Sequence, residues 1–489
     1  MQLSLNAHSS LPLVDQIVVG VRTLIDDRML RAGMRLPPIR RFAESHEVSR
    51  FTVVEAYDRL VALGYVQSRR GSGFYVAPRT NASPVEPRRG EIERAFDNAG
   101  VLYQCLDGEA TRLKVGAGWL PTDWFDEAGI RRNIRTLVRA DDSTVVGYGT
   151  AQGFRPLREQ LQVILGEMGI AADPSQIVLT TGATHALDLL ARYLLKAGDC
   201  ALVDDPGYWN LFSNLRLYGI NLIGVPRTPD GPDVIALEKL LSEHRPKVFF
   251  TQSVLHNPTA CNLTPATAFR LLQLAEKHNF IIVEDDIYAE FHPGTTTLLA
   301  ELDQLQRVVY VGSFSKTLSA SLRVGYLAAN PDLANELMDV KIVSCLSTSE
   351  FAEHLVYLML TEGHYRKFTE RTRGRLADAT SKTLRMLERS GMKVYAEPEG
   401  GMFVWAEVPG IPDSVHLAEL ASQSDIMLAP GNIFRPQMQP SPWMRFNVAH
   451  AADPRLERFF GETLGKDKYR EALTRKESPS GRKAATSIP

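Results

Sequence analysis

The sequence predicts a multidomain α/β protein, with a small basic N-terminal unit ahead of a larger body built on a mostly parallel sheet with helices on both faces. Three observations lead there. At 489 residues the chain is too long for one small core. Its charge is unevenly spread: residues 1–80 hold eleven arginines, no lysine and seven acidic residues, a formal +4, so with a net −2 overall the remainder carries −6. From about Gln104 onward, short continuous apolar runs alternate with helix-like segments, the pattern of parallel strands buried on both faces. A basic module on an acidic body points to a polyanionic partner for the module alone. No apolar run approaches a membrane span, and Met1 to Ser10 lacks a basic start with an apolar core, so neither membrane anchor nor secretion signal is expected. The cysteines Cys105, Cys200, Cys261 and Cys345 are scattered without paired spacing, which argues against a disulfide framework or a zinc site and fits a reducing cytoplasm.

In chain order, Leu11 to Asp27 reads as a helix with Leu13, Ile17, Val21, Leu24 and Ile25 on one face. After a turn ending in Pro37-Pro38, a second helix runs from Ile39 to His46. Ser49 is the expected N-cap of a third helix, Phe51 to Leu60, which buries Val53, Ala56 and Leu60 and stops at Gly64. Tyr65 to Val76 reads as two strands around a basic, glycine-rich tip carrying Arg69, Arg70, Gly71 and Gly73.

That order is the winged helix-turn-helix plan, and residues 1–78 resemble the GntR family of DNA-binding regulators through Leu36-Pro37…Arg40, Ser49-Arg50-Phe51-Thr52 and Gly71-Ser72-Gly73. The resemblance implies contacts to operator DNA from Arg40, Ser49, Arg50 and Thr52, with Arg69, Arg70 and Gly71 of the wing at the minor groove. Arg50 and Thr52 stand at the N-terminal end of the recognition helix, where side chains reach base edges and phosphates. Many members have a further arginine two positions after the threonine; here it is Val54. The bland alternative, solvated arginines on a small helical domain, does not account for the cap, the wing and the charge asymmetry together.

Pro78, Pro84 and Pro87 punctuate a polar stretch without apolar period, and residues 79–104 read as a linker. The body spans 105–465. Its expected strands are Ile177–Thr180, Cys200–Val203, Val248–Thr251, Phe280–Val283 and Val308–Val311, with helices from Thr184, Tyr208 and Pro265. In such sheets ligands lie beyond the carboxyl ends of the strands. The residues there are Thr181-Gly182-Ala183-Thr184, Asp205-Pro206-Gly207-Tyr208, His256-Asn257-Pro258-Thr259, Glu284-Asp285-Asp286-Ile287-Tyr288 and Ser313-Phe314-Ser315-Lys316. Taken alone, the first is as readily a capped helix as an anion cradle, and a lysine after a strand is most often a surface residue.

Together, in this order, the five strand ends resemble fold-type I pyridoxal-phosphate enzymes of the class I/II aminotransferase group. The resemblance implies pyridoxal 5'-phosphate as cofactor and a small C-terminal α+β part. It implies an internal aldimine at Lys316, Asp285 on the pyridine nitrogen, and Asn257 and Tyr288 on the phenolic oxygen. Tyr208 would stack on the ring, while Ser313, Arg323 and the amides of Gly182, Ala183 and Thr184 hold the phosphate. The segment Gly147-Tyr148-Gly149…Gly153-Phe154-Arg155 resembles one whose tyrosine reaches the partner subunit's phosphate, implying a homodimer in which Tyr148 completes the neighbouring site. In Trp443-Met444-Arg445-Phe446-Asn447, Arg445 matches the arginine that grips a substrate carboxylate. Two departures stand out: Ala260 replaces the usual glycine after Asn-Pro-Thr, leaving the backbone less free, and Asp286 adds a carboxylate expected at the surface or behind the site. Residues 466–489 turn polar and read as a disordered tail.

A GntR-like reader joined to an aminotransferase-like body resembles the MocR subfamily of bacterial transcription regulators. That fusion implies a cytoplasmic sensor, in which an amino compound, or the cofactor itself, acts through aldimine chemistry at Lys316 and alters operator binding. A working aminotransferase with an accessory DNA-binding domain would use the same residues. A body that has lost its cofactor is disfavoured by the intact set Asp285, Tyr288 and Lys316.

Overall fold

The computed structural model describes residues 3, 5, 6, 9, 11–27, 29–69, 71–77, 112–139 and 147–464. The expected linker over 79–104, the tail over 466–489, Arg70, Cys105 and the start of the body at 105 lie outside the described residues. The chain divides into two compact units, 1–89 and 90–489.

In the first unit the helices are α1 (Leu13–Asp26), α2 (Ile39–Ser45) and α3 (Arg50–Ala62), followed by the antiparallel pair β1 (Val66–Arg69) and β2 (Gly73–Val76). Pro38 precedes the first turn of α2, where its fixed φ costs nothing. Ser49 caps α3, its Oγ accepting from the Thr52 amide at 3.0 Å, which satisfies one of the donors a helix start leaves open. Ile17, Val21, Phe42, Val53, Ala56, Tyr57 and Leu60 form the core. Tyr57 packs edge-on against Phe42 and Phe74 and donates its hydroxyl to the Pro37 carbonyl at 3.1 Å. A buried tyrosine thereby keeps a partner for its polar end. Gly71 (φ +74°) and Gly73 (φ +107°) take the left-handed conformations that turn the hairpin.

The second unit holds an eight-stranded sheet. Its strands are β3 (Ile177–Thr180), β4 (Cys200–Asp205), β5 (Asn221–Thr228), β6 (Gly231–Pro232), β7 (Val248–Thr251), β8 (Ile281–Asp285), β9 (Val308–Ser313) and β10 (Gly325–Ala328), in spatial order β3-β10-β9-β8-β7-β4-β5-β6. Pairings from β9 through β5 are parallel, whereas β10 runs antiparallel between β3 and β9, and β6 antiparallel on β5. Every residue of β3, β7 and β10 is buried, as a sheet covered on both faces requires. Each fully buried phenylalanine, such as Phe249 or Phe280, contributes on the order of 1.5–3 kcal/mol over an exposed one.

A smaller antiparallel sheet, β11 (Lys393–Val394), β12 (Phe403–Glu407), β13 (Ala429–Pro430) and β14 (Trp443–Asn447), is ordered β11-β12-β14-β13. The segment beginning at Arg112 runs alongside it: Leu113 bridges Ile426, and Gly116 donates to the Met427 carbonyl at 2.8 Å. A Cβ on Gly116 would lie 2.6 Å from the Ala429 nitrogen, so only glycine permits this approach. No helix among the described residues is long and apolar enough to cross a membrane.

Candidate functional site

The carboxyl ends of β3, β8 and β9 and Arg445 of β14 line a cleft with a cavity volume of about 110 Å³. Its lining includes Ala183, Thr184, Tyr208, Asn257, Asp285, Tyr288, Ser313, Lys316, Arg323 and Arg445. Gly182 sits just behind, at φ +78°, where a Cβ would come within 2.6 Å of the Arg323 guanidinium. On the other side, a Cβ at Gly325 would lie 2.7 Å from the Gly182 carbonyl carbon. Two glycines therefore let the backbone close tightly around the start of the helix Ala183–Leu194. The Arg323 guanidinium donates to Ser315 Oγ at 3.1 Å and to the Thr181 carbonyl at 3.2 Å. A helix N-terminus, an arginine and the hydroxyls of Ser313 and Ser315 make a dianion cradle.

Lys316 donates from Nζ to the Gly118 carbonyl at 2.7 Å. Burial lowers its pKa to about 8, the cations Arg445 and Arg323 adding to the effect and Asp285 opposing it. Asp285 accepts from Gln252 Nε2 at 3.0 Å through Oδ2, while its buried Oδ1 has no hydrogen-bond partner. Burial raises this carboxyl to about 7, against the opposing pull of Gln252 and Lys316. A buried carboxylate with one oxygen unmatched and aimed at a cleft suits a protonated ring nitrogen, which would supply both the donor and the missing positive charge. Gln252 also fixes Asn257, accepting its amide at 2.8 Å. Asn257 Oδ1 in turn accepts from Arg445 Nη1 at 2.7 Å, and Arg445 Nη2 donates to the Gly116 carbonyl at 2.6 Å. The guanidinium lies 4.4 Å from the Phe403 ring centroid and 4.9 Å from that of Phe434. Held on three sides, it keeps the fork orientation that a carboxylate needs. Burial also pushes the phenols of Tyr208 and Tyr288 up, so both remain protonated donors.

The cradle, the unmatched Asp285 oxygen, the lysine and the flanking phenols fit pyridoxal phosphate. Phosphate would lie at Arg323, Ser313, Ser315 and the amides of Ala183 and Thr184, ring nitrogen at Asp285, and aldehyde at Lys316.

Tyr148 does not line this cleft; it is 88% exposed on the single chain. Asp286 is not a surface carboxylate: it is buried, accepts from the Tyr310 hydroxyl at 2.8 Å, and burial beside Glu284 and Asp285 holds its pKa well above the usual range. It does not line the cleft. Ala260 adopts φ +60° and is buried, so an alanine occupies a left-handed position that glycine takes without cost. Gln252, Gly116, Gly118, Trp119 and Ile433 also belong to the site or its support and were not expected there. The glycines act through carbonyls and leave no mark in residue type.

In the first unit Arg40, Arg50 and Arg69 are exposed. Arg50 is the first residue of α3, while Thr52 Oγ1 is engaged with Ser49 Oγ at 2.7 Å. Arg69 lies over the Tyr75 ring at 4.6 Å, and Gly71 at the tip has open space around it.

Comparison with known proteins divides the chain the same way. Residues 113–461 match the family described as aminotransferase class I and II, and residues 13–76 match bacterial regulatory proteins of the gntR family. A 2-aminoadipate transaminase of Thermus thermophilus is 32% identical over 65% of this chain and 81% of its own length. A Rhizobium meliloti protein named "Probable rhizopine catabolism regulatory protein MocR" is 30% identical over 72% of this chain and 75% of its own. Among solved structures, the α-aminoadipate aminotransferase LysN, also of Thermus thermophilus and complexed with N-(5'-phosphopyridoxyl)-L-leucine, superposes with a TM-score of 0.69. It is 28% identical and covers 77% of this chain and 98% of that one.

Proposed function

The chain belongs to the aminotransferase class I and II family and, through its gntR-family segment, to the MocR-type GntR regulators; from that premise we propose that its cofactor cleft senses a carboxylated amino compound and passes the result to the DNA-binding unit. The chain is a transcriptional regulator with a pyridoxal-phosphate, aminotransferase-like domain. The observation that carries the sensing reading is that Lys316, Asp285 and Arg445 stand together in one cleft of a chain that also carries a gntR-family segment.

Pyridoxal phosphate, when bound, supplies an aldehyde that condenses with amines and a ring that withdraws electrons. The chain's own residues do the rest. Lys316 Nζ provides the amine that an incoming amino compound must replace. Asp285 holds the proton on the ring nitrogen, and the phenols of Tyr208 and Tyr288 donate near the ring. Arg445, preset by Asn257 and the Gly116 carbonyl, receives the compound's carboxylate. For this to regulate transcription, the compound must bind one arrangement of a homodimer better than another. Tyr148, exposed on the single chain, is available to complete the partner's site in such a dimer. Turnover as a transaminase is the second reading, favoured by the 32% identity to a transaminase.

The experiment is a screen of amino compounds against the cofactor-loaded chain, read by visible absorbance and by mobility of a fragment from the protein's own upstream region. Lys316→Ala should lose the lysine-dependent absorbance band, and carboxylated amino compounds should shift both readouts in the native chain. An unchanged band in the variant would sink the lysine assignment. Spectral change with steady product release and no change in DNA mobility would favour the transaminase.

A further inference from the structure

The buried stripe of α3 is Val53, Ala56, Tyr57 and Leu60. At about 100° per residue, Phe51 lies on the opposite side of the helix. It is 76% exposed, and Val54, three residues on and on the adjoining surface, is 36% exposed. Isolated exposed apolar residues are ordinary on any protein, so the surroundings decide. Arg50 precedes Phe51 at the first helical position, and Arg40 and Arg41 are exposed on α2. The Ser49 and Thr52 hydroxyls are occupied with each other and with the cap. The first turns of α3 thus present Arg50 and an apolar pair to whatever this basic unit meets, beside Glu55, which Arg59 neutralises at 2.7 Å, and exposed Asp58 one turn further on.

Resting on the reading that α3 enters DNA, we propose that Phe51, backed by Val54, is a specificity-determining residue that reads the C5-methyl group of a thymine in the major groove. That methyl is the one apolar group the base edges display there, and a phenyl ring cannot use the hydrogen-bonding edges of the other bases. A duplex is the occupant that fits the setting, because Arg50 adjoins Phe51 in the chain, Arg40 and Arg41 are exposed on the preceding helix, and residues 1–80 carry a formal +4. The expected contribution is modest: burying one methyl-sized group corresponds to about a fourfold change in Kd.

The test uses the full, cofactor-loaded chain and a duplex selected by it from a random pool. Each thymine of that duplex is replaced in turn by deoxyuridine, which deletes only the methyl. The native chain should lose about fourfold in affinity at one or two positions of each half-site. Phe51→Ala should bind the thymine duplex more weakly and treat thymine and uracil alike at those positions, whereas Phe51→Leu should retain the preference. Arg50→Ala should weaken binding to both duplexes equally. Native binding indifferent to every substitution, or a Phe51→Ala chain that keeps the native thymine-to-uracil ratio, overturns the inference. A Phe51→Ala chain with that ratio intact but an altered mass by light scattering also overturns it, marking the ring as a protein contact. A chain that selects no duplex overturns the inference together with the DNA-binding reading beneath it.

Discussion

Lys316 is an amine buried among groups that are mostly cationic, and its proton affinity is set by that company. Only a neutral amine condenses with an aldehyde, so the rate at which cofactor-free chain takes up pyridoxal phosphate should rise with pH through about 8 and level off above it. After burial itself, the charge of Arg445 does most to lower this pKa. Removing its charge in Arg445→Gln should therefore raise the lysine's pKa and move the midpoint of the rate profile to higher pH, measured by stopped-flow absorbance. A midpoint that stays in place would mean that Arg445 does not act on the lysine, leaving burial and Arg323 to set it. Ala260 offers a separate check at this scale. Its φ of +60° is a conformation in which a Cβ costs roughly 1–2 kcal/mol. Part of that gain is offset by glycine's greater freedom in the unfolded chain. Ala260→Gly should accordingly raise stability by about 0.5–1 kcal/mol in denaturant unfolding.

At the scale of elements, the helix starts and strand ends were readable because each carries a mark in residue type. Ser49, placed before a run with helical period, proved to cap α3. Strands β3, β7 and β9 are continuous apolar runs ending in polar residues, and this is why Lys316 and the helix start at Ala183 could be placed at one end of the sheet. β5 and β10 carry no such mark. β5 contains Gly224 and Pro226, and β10 is four residues reached through a turn. The support from Gln252 was hidden because its place in the chain reads as the continuation of a strand. Gly116 and Gly118 contribute carbonyl oxygens, which every residue type possesses. The cap yields a prediction of its own. Ser49→Ala should destabilise the first unit by about 1 kcal/mol and weaken DNA binding, because the Arg50 that follows depends on an ordered first turn. Thermal unfolding of the first unit and DNA titration would check both. Unchanged unfolding would show that Thr52 replaces the cap from within the helix.

For the whole molecule, a regulator of this design is bound by reciprocity. If an amino compound changes operator affinity by some factor, operator DNA must change the compound's affinity by the same factor, typically about 5- to 150-fold for coupled sites. Titrating the compound by absorbance with and without the upstream fragment should give that equality. A shift in one direction alone would exclude an equilibrium switch. The charge distribution adds an internal control, since salt should weaken DNA binding steeply while leaving the cofactor cleft untouched. Among the described residues, Gly116, Gly118 and Trp119 are the first in chain order to line the cleft. Lys316 holds the Gly118 carbonyl, Arg445 that of Gly116, and Asn447 those of Ala117 and Trp119. Were Lys316 to turn from Gly118 toward bound pyridoxal phosphate, that carbonyl would lose its donor. Among the described residues Gly116, Gly118 and Trp119 are the lining positions that follow the gntR-family segment most closely in the chain, so the first peptide of the body to reach the cleft is also the one whose partner would change.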